Sequence, residues 1–276
     1  MDGVRRADYL QAGVNQWTMV AGEIIEEAPL TLFVNGQEWI TLMCTPISLD
    51  HLVLGFLSAE GIISQLEDVS LLDITHNGSV ADIWLRHQVS LPQRRTLTSG
   101  CAGGITFGDL AATRAPLHSN RRVTRDQVLN LMERLQEAAV LYRRSQGVHT
   151  SALSDGQRLL VAAEDVGRHN TLDKIRGECL QRGVPTADNI LVTTGRISSE
   201  MLRKAADMEV PVVISRTSPT NLSLKLADAW GMTVIGYVRG RRMRVYAGAW
   251  RMAHMHGSNG RHRCQDEAEI LTVEHL

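Results

Sequence analysis

The chain has 276 residues, of which 43% are hydrophobic and 21% are charged, and its formal net charge at pH 7 is -1. This is the composition of an ordinary globular protein, and a chain of this length can bury a core without disulfides. The nearly neutral charge excludes any general electrostatic attraction to nucleic acid or to a membrane surface.

The cysteines are too far apart in sequence to suggest a metal site or a disulfide framework. They are Cys44, Cys101, Cys179 and Cys264, and no two of them form a C-x-x-C pair. The first residues lack the apolar run of a signal peptide, and no apolar run is long enough to cross a bilayer. We therefore expect a cytoplasmic protein with reduced thiols that binds neither nucleic acid nor membrane.

The chain begins with a weakly patterned segment, and residues 1–20 are interpreted as a loosely held lead-in. Residues 21–95 predict a small α+β domain. Its first two β-type runs meet at Asn35-Gly36, which is the strongest short signal for a hairpin. This dipeptide fixes where the first strand pair turns.

The rest of the small domain predicts one helix and a second hairpin. An amphipathic helix begins after Ser48 as the N-cap and stops at Gly61. The second hairpin turns near Asn77-Gly78. The expected order of elements is β-β-α-β-β.

A glycine-rich segment, residues 96–108, separates this domain from residues 109–250. There, Thr124 and Gln127 form a capping box at the start of a long helix that Gly147 ends. Strand-like and helical patterns then alternate, which predicts a largely parallel sheet with crossover helices. The predicted strands are VHTSALS, RLLVAAED, NILVTTG, VPVVISR, MTVIGYV and MRVYAG, and the predicted helices cover about 168–181, 198–208 and 219–229. Residues 251–276 form a polar tail.

Three of the predicted strands end in polar segments that each begin a helix: EDVGRHN, TTGRISSE and SRTSPTN. Each segment carries one arginine: Arg168, Arg196 and Arg216. Ligands of parallel α/β sheets bind beyond the carboxyl ends of the strands, and guanidinium groups and helix N-termini both favour phosphate. Any one segment alone is better interpreted as a surface loop, with Ser218-Pro219 capping a helix. The three together favour a site for a phosphate-bearing ligand.

Other polar residues leave two interpretations open. The turn around Gly240 carries Arg239, Arg241 and Arg242, and it fits either a charged edge hairpin or a clamp on the same anion. His149 fits a structural role, and His169 fits ligand orientation or turn closure as well as proton transfer. In the tail, the spacing of His254, His256, His262 and Cys264 matches no usual metal site.

Cys101 lies within TLTSGCAGGITFG, a flexible segment with no large side chain close to the thiol. A thiol acts as a nucleophile only as an accessible thiolate. A flexible loop suits a sulfur that is carried between sites, but composition alone equally allows an idle loop cysteine.

In ordered combination, these motifs resemble those of the FdhD family, sulfur carrier proteins required for active formate dehydrogenase. The resemblance extends from the first hairpin to about Gly248. The motifs that carry it are TSGC, EDVGRHNTLDK, TTGRISSEM, SRTSPTNL and GMTVIGYVRGRRMRVYAG.

The resemblance implies a function and a fold. Family members receive sulfur from a cysteine desulfurase as a persulfide on a loop cysteine, here Cys101. They pass it to the molybdenum cofactor, bis-molybdopterin guanine dinucleotide, for which a guanine nucleotide is a simple mimic, before that cofactor enters formate dehydrogenase. They tend to form homodimers, and their main domain is a three-layer α/β/α fold like that of cytidine deaminase. The cofactor-binding stretch of the family matches Tyr237, Val238, Arg239, Gly240, Arg241 and Arg242.

This chain departs from the family at Gly104, where many members have a second loop cysteine. A disulfide within the loop is therefore excluded, whereas a persulfide on Cys101 remains chemically sufficient. The H-x-E and P-C-x-x-C elements of zinc deaminases are also absent from the sequence, so we expect no metal site and the deaminase likeness concerns fold alone.

The leading hypothesis is a persulfide carrier in which Arg168, Arg196, Arg216 and the turn at 239–242 hold the cofactor, while Asp165 and His169 shape the pocket. The alternatives are a chaperone that presents the cofactor without moving sulfur, and an enzyme that processes a guanine nucleotide.

Overall fold

The computed structural model describes residues 2–90, 96–97, 105–106 and 114–253. Its strands are β1 (Val4–Ala12), β2 (Trp17–Ile25), β3 (Ala28–Val34), β4 (Gln37–Cys44), β5 (Val69–Thr75), β6 (Val80–Leu85), β7 (Thr96–Leu97), β8 (Ile105–Thr106), β9 (His149–Ser154), β10 (Leu159–Asp165), β11 (Ile190–Thr193), β12 (Val212–Ser215), β13 (Thr233–Arg239) and β14 (Arg242–Ala247). Its helices are α1 (Leu49–Ala59), α2 (Arg125–Ala138), α3 (Val140–Ser145), α4 (Arg168–Arg182), α5 (Ser199–Asp207) and α6 (Asn221–Ala229).

The N-terminal segment forms a hairpin, so its interpretation as a loose lead-in is wrong. Strands β1 and β2 pair antiparallel from Val4 opposite Ile25 to Ala12 opposite Trp17. Only the base of the hairpin is covered, where Val4 packs with Leu141 of α3. The outer residues are exposed on both faces, and such strands lack the alternation of apolar and polar residues by which a half-buried strand is predicted.

The small domain has the predicted order of elements. Four of the described strands form its sheet in the order β4-β3-β6-β5, with β3 parallel to β6. Asn35 and Gly36 both have positive φ, 51° and 78°, as a tight hairpin turn requires, and the second hairpin turns at His76–Gly78. Ser48 is the N-cap residue of α1, as predicted, but its φ is 48° and its side chain makes no capping hydrogen bond to any described residue.

Helix α1 is sandwiched between the small sheet and α4. Its residues Leu52 and Phe56 are buried among the side chains of β3, β4 and β6. On its other side it crosses α4 with almost no gap: a Cβ at Gly55 would overlap the backbone of Asp173, and one at Gly177 would overlap the carbonyl of His51. The two glycines therefore set the distance between the domains.

Replacing Gly177 with alanine is expected to lower the free energy of unfolding by about 3 kcal/mol, as expected for overpacking against backbone that cannot move aside. Helix propensity alone would raise the free energy of unfolding, since alanine in a helix interior is favoured over glycine by about 1 kcal/mol. Urea unfolding followed by circular dichroism measures the change. Lys225→Ala, at an exposed position of α6, is the control and should be nearly neutral. A Gly177→Ala protein as stable as the parent would contradict the close crossing.

The predicted long helix is broken in two. Thr124 accepts a hydrogen bond from the backbone N–H of Gln127, and the Gln127 side chain returns one, so the capping box is confirmed. Ala139 leaves the helical conformation, with ψ 75°, and separates α2 from α3. The left-handed residue that ends α3 is Gln146, with φ 55°, not Gly147.

Six of the described strands form the main sheet, in the order β10-β9-β11-β12-β13-β14. Of its five pairs of neighbouring strands, β11–β12 and β12–β13 are parallel and the other three are antiparallel, so the expectation of a largely parallel sheet is wrong. Strand β9 is antiparallel to both of its neighbours, β10 and β11. Strands β10, β11, β12 and β13 therefore all end at one edge, and β9 begins there. We call this edge the arginine edge, after Arg168, Arg196, Arg216 and Arg239.

The main domain has the predicted three-layer arrangement. Helix α2 covers one face of the sheet with Val128, Leu131 and Leu135. Helices α4, α5 and α6 cover the other face and enclose a second core, to which Leu172 and Met201 belong. Among the described helices, none is long and apolar enough to cross a lipid bilayer.

Candidate functional site at the arginine edge

A cleft of about 470 Å³ opens at the arginine edge, between the strand ends and the end of α3. Its walls are about half polar and come from several parts of the chain. The lining residues are Tyr142, Gln146, Gly147, Val148, His149, Thr194, Arg216, Thr217 and Arg239. We call it the arginine cleft.

Two of the predicted arginines meet in this cleft. The Nε of Arg239 donates a hydrogen bond of 3.1 Å to the backbone carbonyl of Arg216, which holds two positively charged side chains on the same wall. Arg216 is half-buried and Arg239 is exposed, so both guanidinium groups can reach a ligand. Neighbouring guanidinium groups favour a ligand with several phosphate oxygens, each accepting from the fork of an arginine.

The predicted cofactor stretch divides into three parts. Val238 points into the core, and Gly240, Arg241 and Arg242 lie exposed at the turn between β13 and the edge strand β14. The charges of Arg241 and Arg242 lie where they can protect the sheet edge, whereas Arg239 lines the cleft, and its binding of an anion stays a prediction.

Tyr237 occupies a left-handed backbone position, with φ 52°, where β13 bulges away from β14. Its backbone N–H donates to the carbonyl of Thr217, and its ring lies 4.4 Å from the guanidinium of Arg244 and 5.8 Å from that of Arg239. Non-glycine residues in this conformation are strained, and such strain is concentrated at functional sites. The bulge fixes the direction of Arg239 beside the cleft.

The other two predicted arginines act on the cleft through their charge. Arg168 is only 5% exposed and lies beneath the loop after β11, where a Cβ at Gly195 would be 3.0 Å from that of Arg168. Arg196 in that loop is exposed. Both guanidinium groups lower the pKa of His149, which shows that their positive charge extends to the cleft wall.

His149 is a cleft residue that reasoning from the sequence missed. It begins β9 and pairs with Asp165, which ends β10. Burial, together with the charges of Arg168 and Arg196, lowers its pKa below the ordinary value of 6.5, against an opposing effect of Asp165. The antiparallel direction of β9 brings its first residue to this edge, and the local signal for that direction is the short connection with Asp155-Gly156 between β9 and β10.

His169 lies in the interior and not in the cleft. Its Nε2 is 3.2 Å from the hydroxyl of Ser198 and 3.4 Å from a carboxylate oxygen of Glu200. Burial lowers its pKa to about 2, and the positive charge of Lys204 acts in the same direction. The imidazole is therefore neutral, and it joins the start of α4 to the start of α5.

Asp165 connects the two domains. One carboxylate oxygen is 2.6 Å from the Nζ of Lys174 and accepts a hydrogen bond from the backbone N–H of Thr45, while the other accepts from Gly167 and Asn170. Its charge is thus compensated, so the cleft keeps its excess of positive charge.

The hydroxyl groups that follow the strands mainly cap the helices that begin there. Ser198 caps α5, and Thr220 caps α6, so the predicted cap at Ser218 is two residues too early. Thr194 and Thr217 are the two hydroxyl residues whose side chains reach the cleft wall.

Cys101, Gly104 and the tail residues His254, His256, His262 and Cys264 lie outside the described residues. Of the remaining two cysteines, burial raises the pKa of Cys44 and that of Cys179 to about 12. A buried thiol with so high a pKa is not a nucleophile at neutral pH.

A sequence model described as the FdhD/NarQ family matches residues 25–253, which contain the whole arginine edge. This chain belongs to the FdhD/NarQ family. Two relatives named "Sulfur carrier protein FdhD" support the assignment. The relative from Bacillus pumilus is 39% identical over 237 residues, covering 84% of this chain and 90% of its own length, and the one from Listeria innocua is 32% identical, covering 90% and 98%.

The FdhD/NarQ fold is also represented among solved structures. A crystal structure from Desulfotalea psychrophila, described as a formate dehydrogenase accessory protein, covers 91% of this chain and 100% of its own, with a TM-score of 0.76. At 24% sequence identity this likeness supports the fold alone. The fold class expected from the motifs is therefore confirmed.

Proposed function

We propose that this FdhD/NarQ protein receives sulfur from a cysteine desulfurase as a persulfide on Cys101. It then passes the sulfur to bis-molybdopterin guanine dinucleotide bound in the arginine cleft, before the cofactor enters formate dehydrogenase. A thiol reductant supplies the two electrons that bring the transferred sulfur to the sulfide level, and Cys101 leaves as a thiolate. The molybdenum cofactor is here a substrate. The observation that carries the proposal is the pairing of Arg216 and Arg239 on one cleft wall at the carboxyl ends of the strands.

The chemistry of the cleft fits such a substrate. A guanine dinucleotide has a pyrophosphate diester, whose negative charges match two adjacent guanidinium groups and the field of Arg168 and Arg196. The carboxylate closest to His149 in the sheet, Asp165, is neutralised by Lys174 and does not oppose an anion. The names of the relatives, sulfur carrier proteins, support the same conclusion.

The loading step needs a single thiol. The Cys101 thiolate attacks the outer sulfur of the persulfide on the desulfurase, the sulfur–sulfur bond there breaks, and a new one forms on Cys101. The thiolate of the desulfurase leaves, so no oxidant is needed. Gly104 in place of a second loop cysteine is consistent with this scheme, because the other thiol belongs to the partner.

Binding of diguanosine 5′,5′-pyrophosphate by the purified protein tests the cleft. Arg216→Ala and Arg239→Ala are each expected to weaken binding about 10- to 100-fold, because a hydrogen bond to a charged group contributes about 1.5–3 kcal/mol. Isothermal titration calorimetry measures the affinities.

The matched control is Arg182→Ala, which removes an exposed arginine at the far end of α4, away from the arginine edge. Its affinity should equal that of the parent. Equal losses in all three variants would indicate only a general effect of charge, and unchanged binding in the two cleft variants would refute the site. Turnover of a guanine nucleotide by the protein alone would support the nucleotide-processing alternative instead.

A further inference from the structure

His149 lies on the wall of the arginine cleft and is half-buried. Charged side chains surround it. No described residue forms a hydrogen bond with either of its ring nitrogens, and its backbone lies opposite Asp165 in the sheet. Since no residue in the described part of the chain bonds to this ring, it can serve as a hydrogen-bonding group for a ligand in a cleft lined by arginines.

The charges around His149 come from every neighbouring element. Arg168 and His169 begin α4, Arg196 follows β11, and Asp165 is its partner across β10. Other charged or titratable groups that the structure describes at or next to the cleft are Tyr142, Glu164, Arg216 and Arg239.

The two carboxylates in this set, Asp165 and Glu164, already have ion-pair or hydrogen-bond partners. Asp165 is paired with Lys174, and Glu164 accepts hydrogen bonds from the backbone of Leu141 and Tyr142 and from Thr150. Burial and the positive charges of Arg168 and Arg196 outweigh the effect of Asp165, lower the pKa of His149 and so oppose protonation of its ring.

We propose that His149 is a ligand-binding residue of the arginine cleft, and that its imidazole takes up one proton from solvent when a phosphodiester anion binds. The inference rests on the proposed function, because it assumes that the cleft binds an anion. The bound charge offsets the field of Arg168 and Arg196, and the imidazolium then donates a hydrogen bond to a phosphate oxygen.

The sign of the pH dependence follows from proton linkage. In the free protein the pKa of His149 is below 6.5, and the bound anion raises it. Affinity therefore increases as the pH falls through the pKa of the complex, by at most about tenfold per pH unit for one proton, and becomes constant below the pKa of the free protein.

Diguanosine 5′,5′-pyrophosphate is the suitable probe, because its phosphate groups are diesters that do not titrate between about pH 5.5 and 8.5. A terminal phosphate, as in a nucleoside diphosphate, would take up protons in the same range. Calorimetric titrations in buffers with different heats of ionisation count the protons taken up on binding. In parallel, the NMR signal of the His149 ring is followed against pH with and without the probe.

The expected result is net proton uptake near neutral pH and a rise in the pKa of the His149 signal on binding. His149→Gln should bind with an affinity that does not depend on pH. His118→Gln, an exposed histidine at the opposite edge of the sheet, should behave as the parent. The NMR measurement uses the unaltered protein, so it decides the question even if His149→Gln folds poorly.

Two outcomes overturn the inference and are distinguishable. If the probe binds but the His149 signal does not shift, or if His149→Gln keeps the pH dependence, the cleft function stands and the role of His149 fails. If the probe does not bind at any pH, the proposed function fails together with the inference.

Discussion

A protein carrying Cys101→Ala is expected to bind diguanosine 5′,5′-pyrophosphate as the parent does and to accept no sulfur. The expected effect on transfer is complete loss, since persulfide formation requires a thiolate and alanine has none. Of the other three cysteines, Cys44 and Cys179 cannot substitute, because burial raises the pKa of each to about 12. Cys264 lies in the polar tail, so Cys264→Ala is the matched control and should be loaded as the parent is.

The measurement is mass spectrometry of the intact protein after incubation with a cysteine desulfurase and free cysteine. Sulfur that still appears on the Cys101→Ala protein would refute the assignment of the carrier residue.

A second measurement, the activity of formate dehydrogenase in cells, separates the carrier from the chaperone hypothesis. If Cys101→Ser supports a fully active formate dehydrogenase in cells, the protein presents the cofactor without moving sulfur.

Replacing Lys174 with methionine is expected to lower the free energy of unfolding by about 3–5 kcal/mol, the cost of leaving a buried charge without its partner. The Lys174 side chain is 1% exposed. Its Nζ donates to Asp165 and to the carbonyl groups of Thr45 and Glu164, so all three of its donors are used. Methionine fills a similar volume but leaves the carboxylate of Asp165 and two buried carbonyl groups without this donor.

Urea unfolding measures the loss, with Lys225→Met at an exposed position of α6 as the control. The control should change the free energy of unfolding by less than about 0.5 kcal/mol. The double variant Asp165→Asn with Lys174→Met should recover part of the loss, because it removes the unpaired charge. A Lys174→Met protein within about 1 kcal/mol of the parent would contradict a tightly buried pair.

The elements that the sequence predicted correctly are those with strong local signals. Asn35-Gly36 specifies a turn because both residues tolerate positive φ, and Thr124 with Gln127 specifies a helix start by two hydrogen bonds within four residues. The antiparallel pairing of β9 with β10 follows from the short connection between them, but the position of β9 beside β11 has no local signal, because the paired residues are more than thirty positions apart. The N-terminal hairpin was missed because both faces of its outer part are exposed.

In the candidate site, too, features with a local signal were predicted and features that depend on packing were not. The composition of the strand ends predicted an arginine-rich edge, and Arg216 and Arg239 are found together in a cleft there. Composition could not indicate which arginines face the cleft, since this depends on packing: Gly195 covers Arg168, whereas the bulge at Tyr237 directs Arg239. The role of His149 depends on the long-range placement of β9 and was missed for that reason.

The position of α1 has a consequence for how the chain is made. The side of α1 that carries Gly55 packs against α4, and α4 lies far downstream in the sequence. On the ribosome, α1 emerges long before α4, so this side of the helix stays uncovered during about a hundred residues of further synthesis at roughly 5–20 residues per second. The packing of the small domain against its neighbour is therefore completed only after α4 has been made.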